Sequence, residues 1–252
     1  MTVIRRMFSL KWLITTLLVF AGTALCIRLG IWQLDRLDQR RAFNHQVESM
    51  KAAIPLDLNQ TIPEDIASME WRAVSVTGTY DFENQIAIRN QYNDGLYGYH
   101  LITPLLFETS NGSSQPEAVL VDRGWISADG NSSPEDWRAY DEAGGVTVAG
   151  QIRLGQTKPA IGGVADALPV DGSKLAVWNN FDIEKMSGQF PYPILSVYIQ
   201  PDIEESDNTP PIPYQPIIEL TEGPHFGYAL QWFTFATILF FGYPFYLRKQ
   251  ED

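Results

Sequence analysis

Cysteine and histidine are scarce in this chain of 252 residues, which contains one cysteine and three histidines. Cys26 is alone, so a single copy of the chain can form neither a disulfide nor a Cys-x-x-Cys copper site nor a cysteine-based zinc cluster. The histidines, His45, His100 and His225, stand far apart in the sequence, whereas multi-histidine metal centres commonly take two ligands from one short motif. A metal centre with several histidines is therefore not expected.

Sequence motifs of common enzymes are also missing. The chain has no Gly-x-Ser-x-Gly, no His-Glu-x-x-His and no Gly-rich phosphate loop followed by Lys and Ser or Thr. Basic residues are outnumbered, with 18 Lys and Arg against 30 Asp and Glu, and an acidic surface repels nucleic-acid phosphates. We expect neither an enzyme nor a protein that binds nucleic acid.

The first of two apolar runs covers residues 12–27 and follows a basic start, as in a secretory signal peptide. No small-x-small cleavage site follows, and the uncharged stretch resumes after Arg28 and continues to Leu34. The pattern therefore favours a retained transmembrane helix over residues 12–34 in contact with the lipid bilayer.

The second apolar run has no charged residue over positions 226–247 and ends at Arg248 and Lys249. With a rise of about 1.5 Å per residue, a helix of this length can cross a hydrocarbon core of roughly 30 Å. We predict that residues 226–247 form a second transmembrane helix.

Charge is divided unequally between the ends and the middle of the chain. Residues 28–227 carry 13 basic and 28 acidic side chains, a net charge of −15, whereas five basic residues lie in the short termini, 1–11 and 248–252. Short basic segments stay on the cytoplasmic side of a membrane. The distribution predicts a multi-pass protein of the bacterial inner (plasma) membrane, with both termini cytoplasmic and the main domain periplasmic.

The segment between the anchors begins with a polar helix, predicted over residues 35–54. An extracytoplasmic β-rich domain follows over 55–200, and a Pro-rich tether over 201–225 leads to the second anchor. Alternating apolar and polar residues predict a strand at 71–80. Six further strands are predicted at residues 85–89, 98–107, 118–125, 146–154, 175–181 and 194–200, with short helices at 134–140 and 183–187. The fold class is a membrane protein with two transmembrane α-helices flanking a mainly antiparallel β domain, barrel- or sandwich-like and α+β.

His225 stands immediately before the second predicted span. Tyr228 and Trp232 follow three and seven residues later, so in a helix they share its face. A neutral imidazole is a common axial ligand of haem iron, which makes His225 the candidate metal ligand. Aromatic residues also form belts at membrane interfaces without any cofactor. The residues leave both interpretations open.

Three residues of the first anchor, and Arg36 just after it, are candidates for the opposite wall of a haem site. Trp32 and Gln33 would face the second helix. Arg28 or Arg36 would pair with a haem propionate, because a guanidinium matches the two oxygens of a carboxylate. The alternative, favoured for Arg28, is that the side chain extends to the membrane surface to keep its charge in water.

The Asp122-Arg123-Gly124-Trp125 segment is the most conspicuous motif of the β domain. Adjacent residues on a strand point to opposite faces, so Asp122 and Arg123 are not expected to act as an acid–base pair. We predict a structural ion pair for Arg123, a bulge or close approach at Gly124 and a core or membrane-facing position for Trp125. His100 is interpreted as an ordinary surface or partly buried histidine.

Short motifs of the chain resemble, in the same order, those of the SURF1/Shy1 family of cytochrome c oxidase assembly proteins. The resemblance covers residues 29–233 and includes Val-Asp-Arg-Gly-Trp-Ile at 121–126 and His-Phe-Gly-Tyr-Ala-Leu-Gln-Trp-Phe at 225–233. It implies a two-anchor protein that helps to build haem-copper oxidase. In bacterial members it implies receipt of haem a and its delivery to the catalytic subunit, with His225 at the position of the family's histidine. The long acidic, Pro-rich tether departs from the family pattern.

The resulting hypothesis is a non-enzymatic chaperone of the respiratory chain that carries haem a. Its partners would be haem a synthase, cytochrome c oxidase subunit I and the lipid bilayer. One alternative is a cofactor-free membrane scaffold that holds oxidase assembly intermediates. The other is a membrane-tethered periplasmic enzyme that uses Asp122 and Arg123. The sequence does not distinguish the haem type, a second axial ligand, the oligomeric state or the docking surface.

Overall fold

The computed structural model describes residues 3–110, 117–157, 159, 163–169, 171–203 and 209–250. The chain divides into two units. The helical unit comprises Met1–Gln46 and Ile218–Asp252, and the β unit comprises Val47–Ile217. Part of the predicted tether, residues 204–208, lies outside the described residues.

The elements follow in chain order. The α-helices are α1 (Val3–Met7), α2 (Leu13–Ala52), α3 (Pro134–Trp137), α4 (Ile183–Ser187) and α5 (His225–Lys249). Single 3-10 turns occur at Ile66–Met69, Phe82–Asn84 and Arg138–Tyr140. The strands are β1 (Leu56–Asp57), β2 (Ala73–Tyr80), β3 (Ile86–Asn93), β4 (Leu96–Phe107), β5 (Glu117–Ser127), β6 (Gly145–Leu154), β7 (Val177–Trp178) and β8 (Ile194–Pro201).

Helix α2 is one continuous helix of 40 residues, so the predicted membrane helix at 12–34 and the polar helix at 35–54 are parts of a single element. Its residues after Gly30 include neither glycine nor proline, and it ends three residues before Pro55, where proline disfavours helical backbone. By length and composition, α2 is the one helix among the described residues that could span a membrane.

Helix α5 contains the second predicted span. It begins directly after Gly223 and Pro224, and Gly223 has a positive φ of 68° that an L-side chain rarely adopts. Arg248 and Lys249 lie in its last turn, where cations stabilise the helix dipole. Its Tyr, Trp and Gly residues lower its hydropathy, so composition does not establish the span, and the second transmembrane helix stays a prediction.

The two long helices pack as antiparallel neighbours. Their buried positions recur every seven residues, which keeps one seam of each helix against the other. The positions in this repeat are Thr16, Thr23, Gly30, Leu37 and Asn44 on α2, and Ala229, Ala236 and Tyr243 on α5; Cys26, Val47 and Leu247 are buried outside it. Thr16 Oγ1 and the Tyr243 hydroxyl form a buried hydrogen bond of 2.6 Å, and the Phe233 ring packs against Gly30.

The β unit is a single sheet in the order β1-β2-β6-β8-β5-β4-β3-β7. An additional pairing of β2 with β4 closes a ring of five strands, β2-β6-β8-β5-β4. Most pairs are antiparallel, and the parallel ones are β1–β2, β3–β7 and β5–β8. The predicted barrel-like, mainly antiparallel β domain is therefore confirmed. Its interior includes Leu105, Val121 and Ile199, which are fully buried.

Several predicted strands differ from the structure at their ends, such as β3, which continues four residues past the predicted 85–89. Two of these differences have a visible cause. The predicted strand at 175–181 is only the two-residue β7, because the backbone N–H groups of Asn179 and Asn180 donate to the Asp166 carboxylate instead of a neighbouring strand. The strand predicted at 71–80 begins at Ala73, since Trp71 has a positive φ of 78°. Hydrogen bonds to Asp166 therefore limit β7, whereas the backbone conformation of Trp71 sets the start of β2.

Residues 209–224 contain no helix and only a single β-bridge, between Ile212 and Trp125. Gly124 has a φ of 118°, and an added Cβ would overlap the Ile212 carbonyl group. The β4–β5 register shifts at this point, between Leu101 and Ile102, so the bulge and close approach predicted at Gly124 are confirmed. The Pro-rich segment is thus held against β5 at Ile212.

Candidate functional site

His225 is the first residue of α5, and its imidazole contacts α2. The His225 Nδ1 atom lies 2.8 Å from Gln33 Oε1. A carbonyl oxygen can only accept, so Nδ1 donates the proton, and in the neutral imidazole Nε2 keeps its lone pair. This is the tautomer that a metal ligand needs, and an amide partner on the second nitrogen is a common way to orient such a ligand.

The surroundings of His225 Nε2 are open. This atom has no hydrogen-bond partner among the described residues, and the residue beside it is Gly223, where an added Cβ would lie 3.7 Å away. Within the described part of the chain, no group of three or more His, Cys, Asp or Glu could hold a metal ion. The described residues around Nε2 therefore offer His225 as a single ligand, without a preformed cluster.

The predicted aromatic partners on α5 are partly or largely exposed. Tyr228 is 46% exposed, and Trp232 packs edge-on against Phe235 with ring centroids 6.0 Å apart. Phe233 contacts α2 instead, because a Cβ added at Gly30 would lie only 2.7 Å from the Phe233 ring. Phe233 fills the space between the helices at this level, so a flat ligand near His225 would lie on the exposed side of the pair.

The predicted residues on α2 are accessible. Trp32 is 42% exposed, and the Arg36 guanidinium lies 5.6 Å from the centre of its ring. Arg36 Nη1 also donates to Gln39 Oε1 at 2.9 Å. Arg28 is exposed and has no hydrogen-bond or ion-pair partner within the described residues. Both arginines therefore keep N–H groups that could donate hydrogen bonds to a carboxylate.

The chain that leads into α5 is fixed to α2 by two arginines. Arg41 makes two hydrogen bonds to the Glu222 carboxylate, 2.7 and 3.0 Å long, and this contact lowers the pKa of Glu222. Arg40 donates to the backbone carbonyls of Glu219 and Thr221. Sequence reasoning missed this contact, although two adjacent arginines on α2 and two glutamates just before α5 are its visible signal.

The donor set fits an axial ligand role in part. A neutral imidazole with an oriented Nδ1, exposed aromatic rings and two arginines with spare donors match what a haem with propionates requires. A slot between the helices does not exist beside Phe233. The residues fit a haem held at one face of the helix pair by one protein ligand.

The β unit contains a buried pair of ionisable side chains that the sequence did not predict. His100 on β4 and Asp122 on β5 are both buried, and His100 Nδ1 lies 3.0 Å from Asp122 Oδ2. The interpretation of His100 as an ordinary surface or partly buried histidine is therefore wrong. The two positions are two residues out of direct register across neighbouring strands, a relationship that becomes visible only when the strand pairing is known.

Arg123 has a structural role, as predicted. Its side chain is 3% exposed and pairs with Glu142 at 2.7 Å, and it also donates to Gln85 Oε1 and to the Tyr140 carbonyl. Asp122 and Arg123 line different cavities. An enzyme that uses these two residues together as acid and base is therefore not supported by their placement.

Known proteins show where the chain belongs. The model of the SURF1 family matches residues 20–237. Surfeit locus protein 1 of Arabidopsis thaliana is 23% identical over 92% of this chain and 77% of its own length. A SURF1-like protein of Rickettsia felis is 26% identical over 93% of this chain and 97% of its own length.

A third relative carries a more specific name. The cytochrome oxidase assembly protein SHY1 of Saccharomyces cerevisiae is 29% identical over 44% of this chain and 27% of its own length. The family match extends from within α2, through the whole β unit, to the middle of α5. The chain therefore belongs to the SURF1 family.

Proposed function

We propose that this protein is a membrane-anchored assembly factor for cytochrome c oxidase, a haem-copper terminal oxidase, and that it binds haem a and aids its delivery to subunit I. Family membership and the name of the yeast relative support the assembly role. The observation that carries the haem-binding role is the His225–Gln33 hydrogen bond, which leaves Nε2 free as a ligand.

Exposed apolar side chains support anchoring of both helices in the bilayer. Only 22% of the apolar window of α2 is buried within the protein. Ile14 and Leu18 are 71% and 67% exposed, and Phe241 and Phe245 on α5 are 67% and 69% exposed. Apolar area left in water costs about 25 cal/mol per Å², so these helix surfaces are stable in lipid and unstable in water.

The two helix ends that carry the basic termini lie on the same side. Arg6 Nη1 donates to the Leu247 carbonyl at 3.1 Å, so the start of the chain contacts the end of α5. With the positive charges inside, both termini are cytoplasmic and the β unit is periplasmic. His225, at the opposite end of α5, then lies at the outer surface of the inner membrane.

In this proposal His225 Nε2 binds the haem iron. Tyr228, Trp232 and Trp32 offer ring surfaces beside it, Gln33 fixes the imidazole, and Arg36 or Arg28 donates to a propionate. Haem a would take part in no reaction on this protein, because the protein only carries it from haem a synthase to subunit I. A single protein ligand suits a cargo that must leave again, whereas a closed pair of ligands would retain it.

Absorption spectra of purified full-length protein test the role of His225. Protein from cells that make haem a should show a Soret band, and His225→Ala should reduce this band at least tenfold. His45→Ala is the matched control, because His45 is an exposed histidine on α2, and it should leave the spectrum unchanged. Equal Soret bands in the wild type and His225→Ala would remove His225 from the proposal.

The cofactor-free scaffold predicts a different result. A scaffold would copurify with oxidase subunits but carry no stoichiometric haem, even from cells that overproduce haem a synthase. Pull-down of subunit I together with a haem assay separates the two roles. Full recovery of subunit I by His225→Ala, with no haem on either protein, would favour the scaffold.

A further inference from the structure

A polar cavity of about 240 Å³ lies in the β unit, apart from the helix pair residues. One side is formed by strands of the sheet, and Tyr214 from the Pro-rich segment forms another. Since a water molecule occupies about 30 Å³ in the liquid, this volume corresponds to about eight water molecules and can hold a small organic molecule. The lining residues whose placement indicates ligand binding are His100, Asp122, Arg153, Tyr198 and Tyr214.

Asp122 orients the His100 side chain in the lining of the cavity. The Asp122 carboxylate contacts His100 Nδ1 and also accepts from the backbone N–H of Gly124 at 3.2 Å. His100 is 8% exposed, and its Nε2 has no hydrogen-bond partner among the described residues. His100 is part of the cavity lining, so Nε2 can form a hydrogen bond with a ligand or a water molecule there.

Several contacts hold the Arg153 guanidinium in place but leave part of its hydrogen-bonding capacity unused. Its guanidinium lies over the Trp71 ring, 3.6 Å from the centre, Nε donates to Glu70 at 3.3 Å, and Nη1 donates to Gln200 Oε1 at 3.0 Å. No partner of Nη2 exists within the described residues. A guanidinium fixed by three contacts loses little entropy when its remaining N–H groups bind an anion.

Two tyrosines add neutral donors. Tyr198 stacks on Phe181 with ring centroids 4.0 Å apart, and burial raises the pKa of Tyr198 to about 12. Its hydroxyl therefore stays protonated at physiological pH. Neither the Tyr198 nor the Tyr214 hydroxyl has a hydrogen-bond partner among the described residues, so both can donate to a ligand oxygen.

The charges of the lining favour a monoanion. Arg153 is its one cation and Asp122 its one carboxylate, and Asp122 already accepts from His100 and Gly124. A cation would find no carboxylate without a partner, and a dianion would be repelled by Asp122 and by Glu70 beside Arg153. We propose that this cavity binds a small monocarboxylate, with Arg153 Nη2 and the Tyr198 and Tyr214 hydroxyls as donors to its two oxygens.

NMR of full-length protein in detergent, labelled with ¹³C at histidine Cε1, tests this proposal. The chain has three histidines, and the His100 signal is assigned by its loss in His100→Asn. Acetate and propionate should shift the His100 signal in a saturable way while the His45 and His225 signals stay in place. Acetamide, which matches acetate in shape but has no charge, and sodium chloride at equal ionic strength should not produce this shift.

Variants locate the site. Arg153→Gln should weaken acetate binding at least tenfold, because a hydrogen bond from a charged donor is lost. Tyr198→Phe should weaken it severalfold and keeps the ring that stacks on Phe181, so it serves if Arg153→Gln does not fold. Arg138→Gln is the control, since Arg138 is a half-exposed arginine on the same unit that pairs with Glu83, and binding should be unchanged.

Three results would overturn the proposal. The first is the absence of a saturable His100 shift up to about 50 mM carboxylate, a concentration far above a millimolar dissociation constant. The second is an equal shift with acetamide. The third is unchanged affinity for acetate in a folded Arg153→Gln or Tyr198→Phe variant. The test does not involve haem, so its outcome is independent of the role of His225.

Discussion

Arg41 and Glu222 form a two-bond ion pair that joins the polar part of α2 to the segment just before α5. Glu222 precedes His225 by three residues. The pair therefore fixes the chain at the point where it turns into α5, and with Gln33 it determines where the His225 imidazole lies. Orientation of the candidate ligand thus depends on two contacts between residues about 180 to 190 positions apart in sequence.

Replacement of Gln33 by leucine should weaken haem binding without abolishing it. The variant removes the acceptor of His225 Nδ1–H, so the imidazole loses its fixed tautomer and orientation, and loss of such a partner costs about 10- to 100-fold in affinity. Haem titration of the purified apoprotein measures this change. Gln231→Leu is the control, because Gln231 is an exposed glutamine on α5, and equal affinities of the two variants would contradict the role of Gln33.

The Arg41–Glu222 pair should make stability depend on pH. Arg41 lowers the pKa of Glu222 in the folded protein, so the contribution of the pair is complete above the ordinary carboxyl pKa and is lost as pH falls through the lowered folded value. Thermal unfolding should therefore show a lower midpoint for Glu222→Gln at pH 7 and no difference in strong acid. Glu219→Gln is the control, since Arg40 contacts only the Glu219 backbone carbonyl.

Two glycines of the helix pair should respond oppositely to alanine. Gly30→Ala places a methyl group against the Phe233 ring and should destabilise the helix pair by about 1–3 kcal/mol, as overpacking does. Gly227→Ala has no atom within 4 Å of the new Cβ and should be neutral or stabilising, because alanine favours helix. Unfolding in detergent measures both, and Phe233→Ala should relieve the Gly30→Ala defect in the double variant.

Arg123 should be far more important to stability than an exposed arginine. Arg123→Ala removes hydrogen bonds to Gln85, Glu142 and the Tyr140 carbonyl and leaves space beside two aromatic rings, which should cost about 2–4 kcal/mol. Arg138→Ala breaks an exposed pair with Glu83 and should cost less than about 1 kcal/mol. Equal losses in denaturant unfolding would show that Arg123 is not a core residue.

Local features could be predicted from the sequence because their causes are local. The uncharged run before Arg248 and the alternation in β2 each follow from neighbouring residues, whereas the backbone that approaches Gly124 belongs to the distant Ile212. The boundary predicted between the membrane helix and the polar helix illustrates the limit, since a change from apolar to polar composition at residue 35 does not interrupt α2, which continues to Ala52.

The side-chain contacts of the site could not be predicted in the same way. His100 meets Asp122, and Phe233 meets Gly30, only through strand register and helix packing, which a single sequence does not reveal. The predicted haem residues lie within one helix pair, but only His225 and Gln33 are joined by a hydrogen bond. Helical periodicity predicts which residues share one side of a helix. It does not predict how closely each of them packs against the neighbouring helix.

The five-stranded ring is closed by only two residue pairs, Thr79 with Leu106 and Tyr80 with Leu105, whereas β2 and β6 share seven. A cylinder with one short seam opens there first, because the fewest hydrogen bonds must break. Thermal fluctuation would then unroll the cylinder into a flat ribbon and expose Leu105. Amide protons at this seam should therefore exchange with solvent before those along β6.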